Sequence, residues 1–134
     1  EKKEEKDVSE AVVAVKQALG DRVKEVRLSK RLTDSASCLV ADEGDPGANM
    51  ERILEMLDKT APKAKRILEI NPSHPFVENL AAIAKKEPGS ERVAGFAEML
   101  YEQALLAEGV VEDPASLVKK IQALLNEVWA AARG

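Results

Sequence analysis

The chain has 134 residues, of which 45% are hydrophobic and 33% charged, with a net charge of −4. This length supports one domain, or two tightly packed subdomains, with a real core, and the apolar fraction argues against a disordered chain; an acidic balance with only 3% aromatics argues against a general nucleic-acid binder, which needs basic excess and stacking rings. The single cysteine, Cys38, excludes an internal disulfide and fits a reducing compartment, and no apolar run approaches the roughly 18 residues that a membrane span needs.

Glu1 to Asp7 is a mixed-charge run, the opposite of a signal peptide. With no initiating Met, the chain reads as a fragment, and this run as the trimmed start of a helix or a linker. A first helix is expected from about Val8 to Leu19. Val8, Val12, Val15 and Leu19 repeat at helical spacing, Asp7 and Glu10 have the spacing of a capping box, and Gly20 is the stop. Arg22 to Leu28, β-branched with interleaved charges, reads as a strand. Ser29 to Ser37 is a polar loop, with Arg27, Lys30 and Arg31 as a solvated basic edge. Cys38 to Ala41 is a second, more buried strand, close enough to pair antiparallel with the first. Gly44, Pro46 and Gly47 make Asp42 to Ala48 a loop.

Asn49 is a candidate cap for a short helix from Met50 to about Lys59, whose apolar side (Met50, Ile53, Leu54, Met56, Leu57) is broad for its length. Ile53 and Leu57 are expected to point inward, leaving Met50, Leu54 or Met56 more exposed. Pro62 ends any helix nearby. Lys65 to Ile70 reads as a third strand with Leu68 and Ile70 on one face and Ile67 on the other, ended by Asn71-Pro72. Pro75 starts another helix carrying Phe76, Val77, Leu80, Ala81 and Ala84, and Pro88-Gly89 breaks it. Ser90 caps a longer helix from Glu91 to Glu108, apolar on more than one face and so buried on more than one. Gly109 ends it. Asp113 and Pro114 then open a last helix to about Arg133. Its apolar stripe, Leu117, Val118, Ile121, Leu124, Leu125, Val128, Trp129 and Ala132, needs a partner surface, either the chain's own core or a second copy.

The order of elements predicts an α+β fold. A small three-stranded sheet with helices occupies residues 1–72, and a helical part, 73–134, closes with an antiparallel hairpin of its last two helices. Catalytic chemistry is not expected. His74 is the only histidine and sits at a helix start, where a capping role fits it. Cys38 lies in an apolar strand rather than in the electropositive, open setting of a nucleophile. Asp42, Glu43 and Asp45 lack the calcium-loop pattern, no Cys/His zinc spacing occurs, and Gly44 and Gly47 form no phosphate-cradling motif.

Five stretches, in order, resemble the C-terminal domain of the 90-kDa heat-shock chaperone family, bacterial HtpG type. They are Val26 to Ser29 continuing through Arg31 to Ser35, then Cys38 to Val40, Met50 to Ile53, Leu68 to Pro72 with His74-Pro75, and Gln103 to Gly109. The resemblance covers about Asp21 to Leu125. It implies a constitutive homodimerisation module whose last two helices pair with those of a second protomer in an intermolecular four-helix bundle. The residues expected at that interface are Leu100, Ala104, Leu117, Ile121, Leu124, Leu125 and Val128. It also implies a short amphipathic helix that contacts unfolded clients, here through Met50, Ile53, Leu54 and Leu57. Methionine suits such a surface because it is flexible and polarisable.

In the family the ATPase, with its ATP and magnesium, lies in an N-terminal domain that nothing here matches, so no cofactor is expected in this chain. The short stretch from Leu54 to Lys65 favours a bacterial origin. The end, Ala130 to Gly134, lacks the Met-Glu-Glu-Val-Asp tail of cytosolic eukaryotic members, so co-chaperones that read that tail are not expected partners. The expected partners are a second copy and unfolded or partly folded clients, with no nucleic acid and no membrane, and the expected location is the cytoplasm. The main alternative is a client or peptide-binding module whose helices close within the chain. A third, an enzyme built on Cys38 or His74, is testable by alkylating the native thiol.

Overall fold

The computed structural model describes residues 2–31, 34–42, 48–58 and 65–133, with side chains for all of these but 2–8 and 48–49. Among them are five α-helices and three strands: α1 (Lys2–Leu19), β1 (Glu25–Leu28), β2 (Ser37–Val40), α2 (Ala48–Leu57), β3 (Ile67–Ile70), α3 (Pro75–Lys86), α4 (Glu91–Ala107) and α5 (Pro114–Arg133). The fold is α+β, as expected.

The first helix begins earlier than the apolar repeat suggested. Lysine and glutamate are strong helix formers, so the charged run joins α1, and Asp7 lies inside the helix instead of capping it. Of the expected row, Val15 and Leu19 face the core, joined by Ala11 and Ala14, whereas Val12 is only partly buried and the side chain of Val8 lies outside the described residues. The small alanines let α1 lie close against α3 and α4, its two main neighbours. Gly20 ends α1 at φ +52°, a backbone state that L side chains rarely adopt, and opens a 3-10 turn over Gly20–Arg22. This turn delays the first strand to Glu25.

The sheet order is β1-β3-β2. The expected direct pairing of β1 with β2 is therefore corrected: the two are antiparallel, but β3 lies between them. β3 runs parallel to β1, with Val26 opposite Leu68, and antiparallel to β2, with Leu39 opposite Leu68. The central place goes to the strand that withstands burial on both faces. All of Ile67, Leu68, Glu69 and Ile70 are buried, whereas β1 leaves Glu25 and Arg27 exposed, as an edge strand can. The loop leading into β2 is fastened to the end of β3. The Asn71 N–H donates to the Ala36 carbonyl (2.8 Å), and the Asn71 side-chain amide donates to the Ser35 carbonyl (3.0 Å).

One face of the sheet carries the core. Leu68, Ile70 and Val26 share one buried cluster with Val15 of α1, Leu80 of α3, and Ala97 and Leu100 of α4. Each large aliphatic side chain buried here contributes about 1.5–3 kcal/mol. α4 crosses β2, where the buried Ser37 hydroxyl donates to the Leu100 carbonyl at 2.6 Å. On the opposite face the pleat places Glu69 opposite Arg27 and Cys38. Its carboxylate accepts from Arg27 Nε at 2.8 Å and pairs with Arg31 at 3.4 Å, so a buried charge has two cations.

The remaining helix starts follow their caps. His74 Nδ1 accepts from the Phe76 N–H, Ser90 Oγ from Val93 and Asp113 Oδ1 from Ser116, each at 3.1 Å. Asn49 does not cap α2, because the helix already includes Ala48. The side chain of Asn49, the Gly44–Gly47 part of the expected loop with Glu43 and Asp45, and the expected stop at Pro62 lie outside the described residues.

Candidate functional site

Among the described residues, two helices turn apolar faces to solvent. The first is α5. None of its 20 residues is buried, and among the described elements α4 is its main neighbour. The contact is partly electrostatic: Lys120 lies between Glu98 (2.8 Å) and Glu102 (2.7 Å), which stand one turn apart on α4, and Arg92 reaches Glu127 at 3.4 Å. Lys120 loses hydration there, but its two carboxylate partners outweigh that loss and raise its pKa.

The Lys120 row of α5, with Leu117 and Leu124, faces α4 and is half-buried. The next row is open. Val118, Ile121, Leu125, Val128 and Trp129 keep between 39% and 60% of their surface. Together they form a contiguous apolar row along the outer side of α5. Beside it a cavity of about 400 Å³ opens between α3, α4 and α5, lined by Phe76, Ile83, Phe96, Leu124 and Val128 among others.

The residues expected at a dimer interface thus divide. Ile121, Leu125 and Val128 are exposed, and Leu117 and Leu124 lie in the seam between α4 and α5. Leu100 and Ala104 belong to the chain's own core at 0% and 1% exposure, and present almost no surface to a partner. Val118 and Trp129, part of the α5 stripe but outside the expected set, are among its most exposed members. Leu106, near the end of α4, is half exposed as well.

The second face belongs to α2. Met50, Ile53, Leu54, Met56 and Leu57 are all exposed, the last two at 84% and 79%. The expectation that Ile53 and Leu57 point inward is corrected. The half-buried residues of α2 are Glu51 and Glu55, so the helix is seated on its polar side. Arg66, just before β3, binds Glu51 at 3.1 Å and also binds Glu108 at the end of α4. Arg52 donates to the Glu108 carbonyl at 2.6 Å. A cavity of about 410 Å³ lies between α2 and the body, lined by Glu51, Glu55, Arg66, Leu39, Tyr101 and neighbouring residues. Periodicity marked this helix as amphipathic but could not state which side docks.

The residues considered for catalysis have structural surroundings. His74 caps α3 through its ring nitrogen. Cys38 Sγ lies 3.9 Å from Glu69 Oε1, and burial, reinforced by that carboxylate, pushes the thiol pKa up. The folded state therefore favours the protonated thiol. The resulting stability is fully present below the unfolded thiol pKa and is lost as pH rises through the raised folded value. Alkylation of native Cys38 at about pH 8 should be several-fold slower than in denaturant, with the gap closing at higher pH. Equal native and denatured rates would contradict this. Among the described residues, no group of three or more His, Cys, Asp or Glu is placed to hold a metal, and no helix is long and apolar enough to cross a membrane.

The family model described as Hsp90 protein matches residues 1–132. The chain is 49% identical over 121 residues to the chaperone protein HtpG of Geobacter sulfurreducens, covering 90% of this chain and 19% of that protein. It is 41% identical over 139 residues to HtpG of Myxococcus xanthus, covering 98% and 21%. HtpG of Aromatoleum aromaticum is 46% identical over 127 residues, covering 94% and 19%. The chain spans about a fifth of the length of these relatives. With the family model matched over nearly its whole length, the chain belongs to the Hsp90 protein family.

Proposed function

We propose that this chain is the homodimerisation module of an ATP-dependent molecular chaperone of the cytoplasm. In this reading α4 and α5 of two protomers form an intermolecular four-helix bundle, and the open row of α5 is its seam. The observation that carries the reading is a 20-residue helix with no buried side chain and a continuous apolar row on its outer face. Holding two protomers at one end raises the effective concentration of their other domains for each other. ATP and magnesium would be bound, and ATP turned over, by parts of the longer protein outside this stretch.

Trp129 provides a direct test, because it is the chain's only tryptophan and is 60% exposed in the single chain. Its emission should be blue-shifted at high protein concentration and move toward the red on dilution below the dimer Kd. Emission typical of a solvated indole at every concentration would overturn the assignment of Trp129 to the seam.

A second role accompanies the first: the exposed face of α2 contacts unfolded clients. The outward placement of Met50, Ile53, Leu54 and Leu57 supports it. Replacing Met50 and Leu54 by Gln should leave the fold and the dimer unchanged, since neither side chain is buried. Affinity for a permanently unfolded protein should fall about tenfold or more, given roughly 1 kcal/mol or more lost per apolar contact. Unaltered affinity in a fluorescence titration would remove α2 from the client surface.

A further inference from the structure

Among the described residues no helix or strand packs substantially along α2, so its orientation must come from a few specific bonds. Its apolar residues face solvent, and its inward side carries Glu51 and Glu55. The bonds from Arg66 and Arg52 on that side meet at one place. Arg66 spans Glu51 of α2 and Glu108, the C-cap of α4, while Arg52 of α2 donates to the Glu108 main-chain carbonyl. The Arg66, Glu51 and Glu108 side chains keep only 14%, 13% and 22% of their surface. Pairs this far from water are screened less than surface pairs. The guanidinium fork is what lets one cation hold two carboxylates from different elements. Arg52 also satisfies a carbonyl left open at the end of α4, where a cation is favoured by the helix dipole. Gly109, at φ +82°, follows immediately and turns the chain toward α5. Glu51 Oε1 is buried with no hydrogen-bond partner, and Arg66 holds the other oxygen of that carboxylate.

We propose that Arg66 is a positioning residue for the α2 surface: by bridging Glu51 and Glu108, with Arg52 on the Glu108 carbonyl, it seats α2 polar side down on the end of α4 and so holds the apolar side outward. The inference rests on the reading of α2 as a client-contact surface, and it adds the residue that presents that surface. An apolar helix face released from such a seat gains freedom to roll or detach, and a surface that is no longer preorganised binds more weakly.

The test uses the 134-residue chain and two readouts, amide hydrogen exchange of α2 and affinity for a carboxymethylated, permanently unfolded protein. Arg66→Met keeps the side chain's length and removes both bridges. Exchange across Ile53 to Leu57 should accelerate about tenfold or more while α1 and β3 hold their protection, and affinity for the unfolded probe should fall several-fold. Arg66→Lys keeps the charge without the fork and should recover part of both losses. Glu51→Gln, run in parallel, breaks the bridge from the other side at nearly constant shape and decides the matter if Arg66→Met does not fold.

Unchanged α2 exchange in a folded Arg66→Met or Glu51→Gln chain would overturn the seat. Faster α2 exchange with unaltered probe affinity would leave the seat standing and overturn the client reading of α2, and with it the positioning role.

Discussion

Ile121→Glu should convert a dimer of this chain into a monomer that keeps its fold. Ile121 is 39% exposed on the open row of α5, and α5 buries no side chain in the single chain, so a carboxylate there meets water in the monomer. In the proposed bundle it meets a second apolar row. A two-fold interface presents each substitution twice. The loss is then about 2 kcal/mol of apolar burial per copy, plus the cost of drying a charge with no partner. Together these exceed roughly 4 kcal/mol per dimer, a rise in Kd of at least about a thousandfold. Sedimentation equilibrium reads the mass directly, and far-UV circular dichroism shows whether the helices persist. A dimer with wild-type affinity would remove Ile121 from the seam.

Leu100→Ala should act in the opposite manner. Leu100 was expected at the interface, yet its side chain is fully buried in the chain's own core, and its carbonyl accepts the Ser37 hydroxyl. Truncation leaves a cavity among Leu68, Leu80 and their neighbours in that core. The expected cost is about 2–5 kcal/mol of folding stability, or roughly 6–20 °C in Tm for a domain of this size. Thermal unfolding followed by circular dichroism checks it. A Tm within a degree or two of wild type, together with a lost dimer, would instead place Leu100 at the partner surface.

These two residues show what was legible in the sequence and what was not. Helix existence, the caps at His74, Ser90 and Asp113, and the α+β class follow from local chemistry: spacing, turn residues and capping side chains. The β1-β3-β2 order does not, because it depends on which strand withstands burial on both faces. The clue was present in the apolar run around Glu69, but its charge obscured it until Arg27 and Arg31 are seen to neutralise it. The depth of Leu100 is also non-local. α4 is apolar on several faces, and periodicity cannot tell which face meets α1 and the sheet. α2 shows the same gap most clearly: its pattern announces an apolar side, but the bonds on its other side, from Arg66 to Glu51 and Glu108 and from Arg52 to the Glu108 carbonyl, join residues distant in sequence.

The reading of α5 as a dimer seam is tested most directly by the absolute mass of the wild-type chain, measured by light scattering across a dilution series. The account predicts about twice the 14.6 kDa of the single chain, held down to the lowest measurable concentration. A mass of one chain at high concentration would contradict it, leaving the apolar row of α5 without a second copy to cover it.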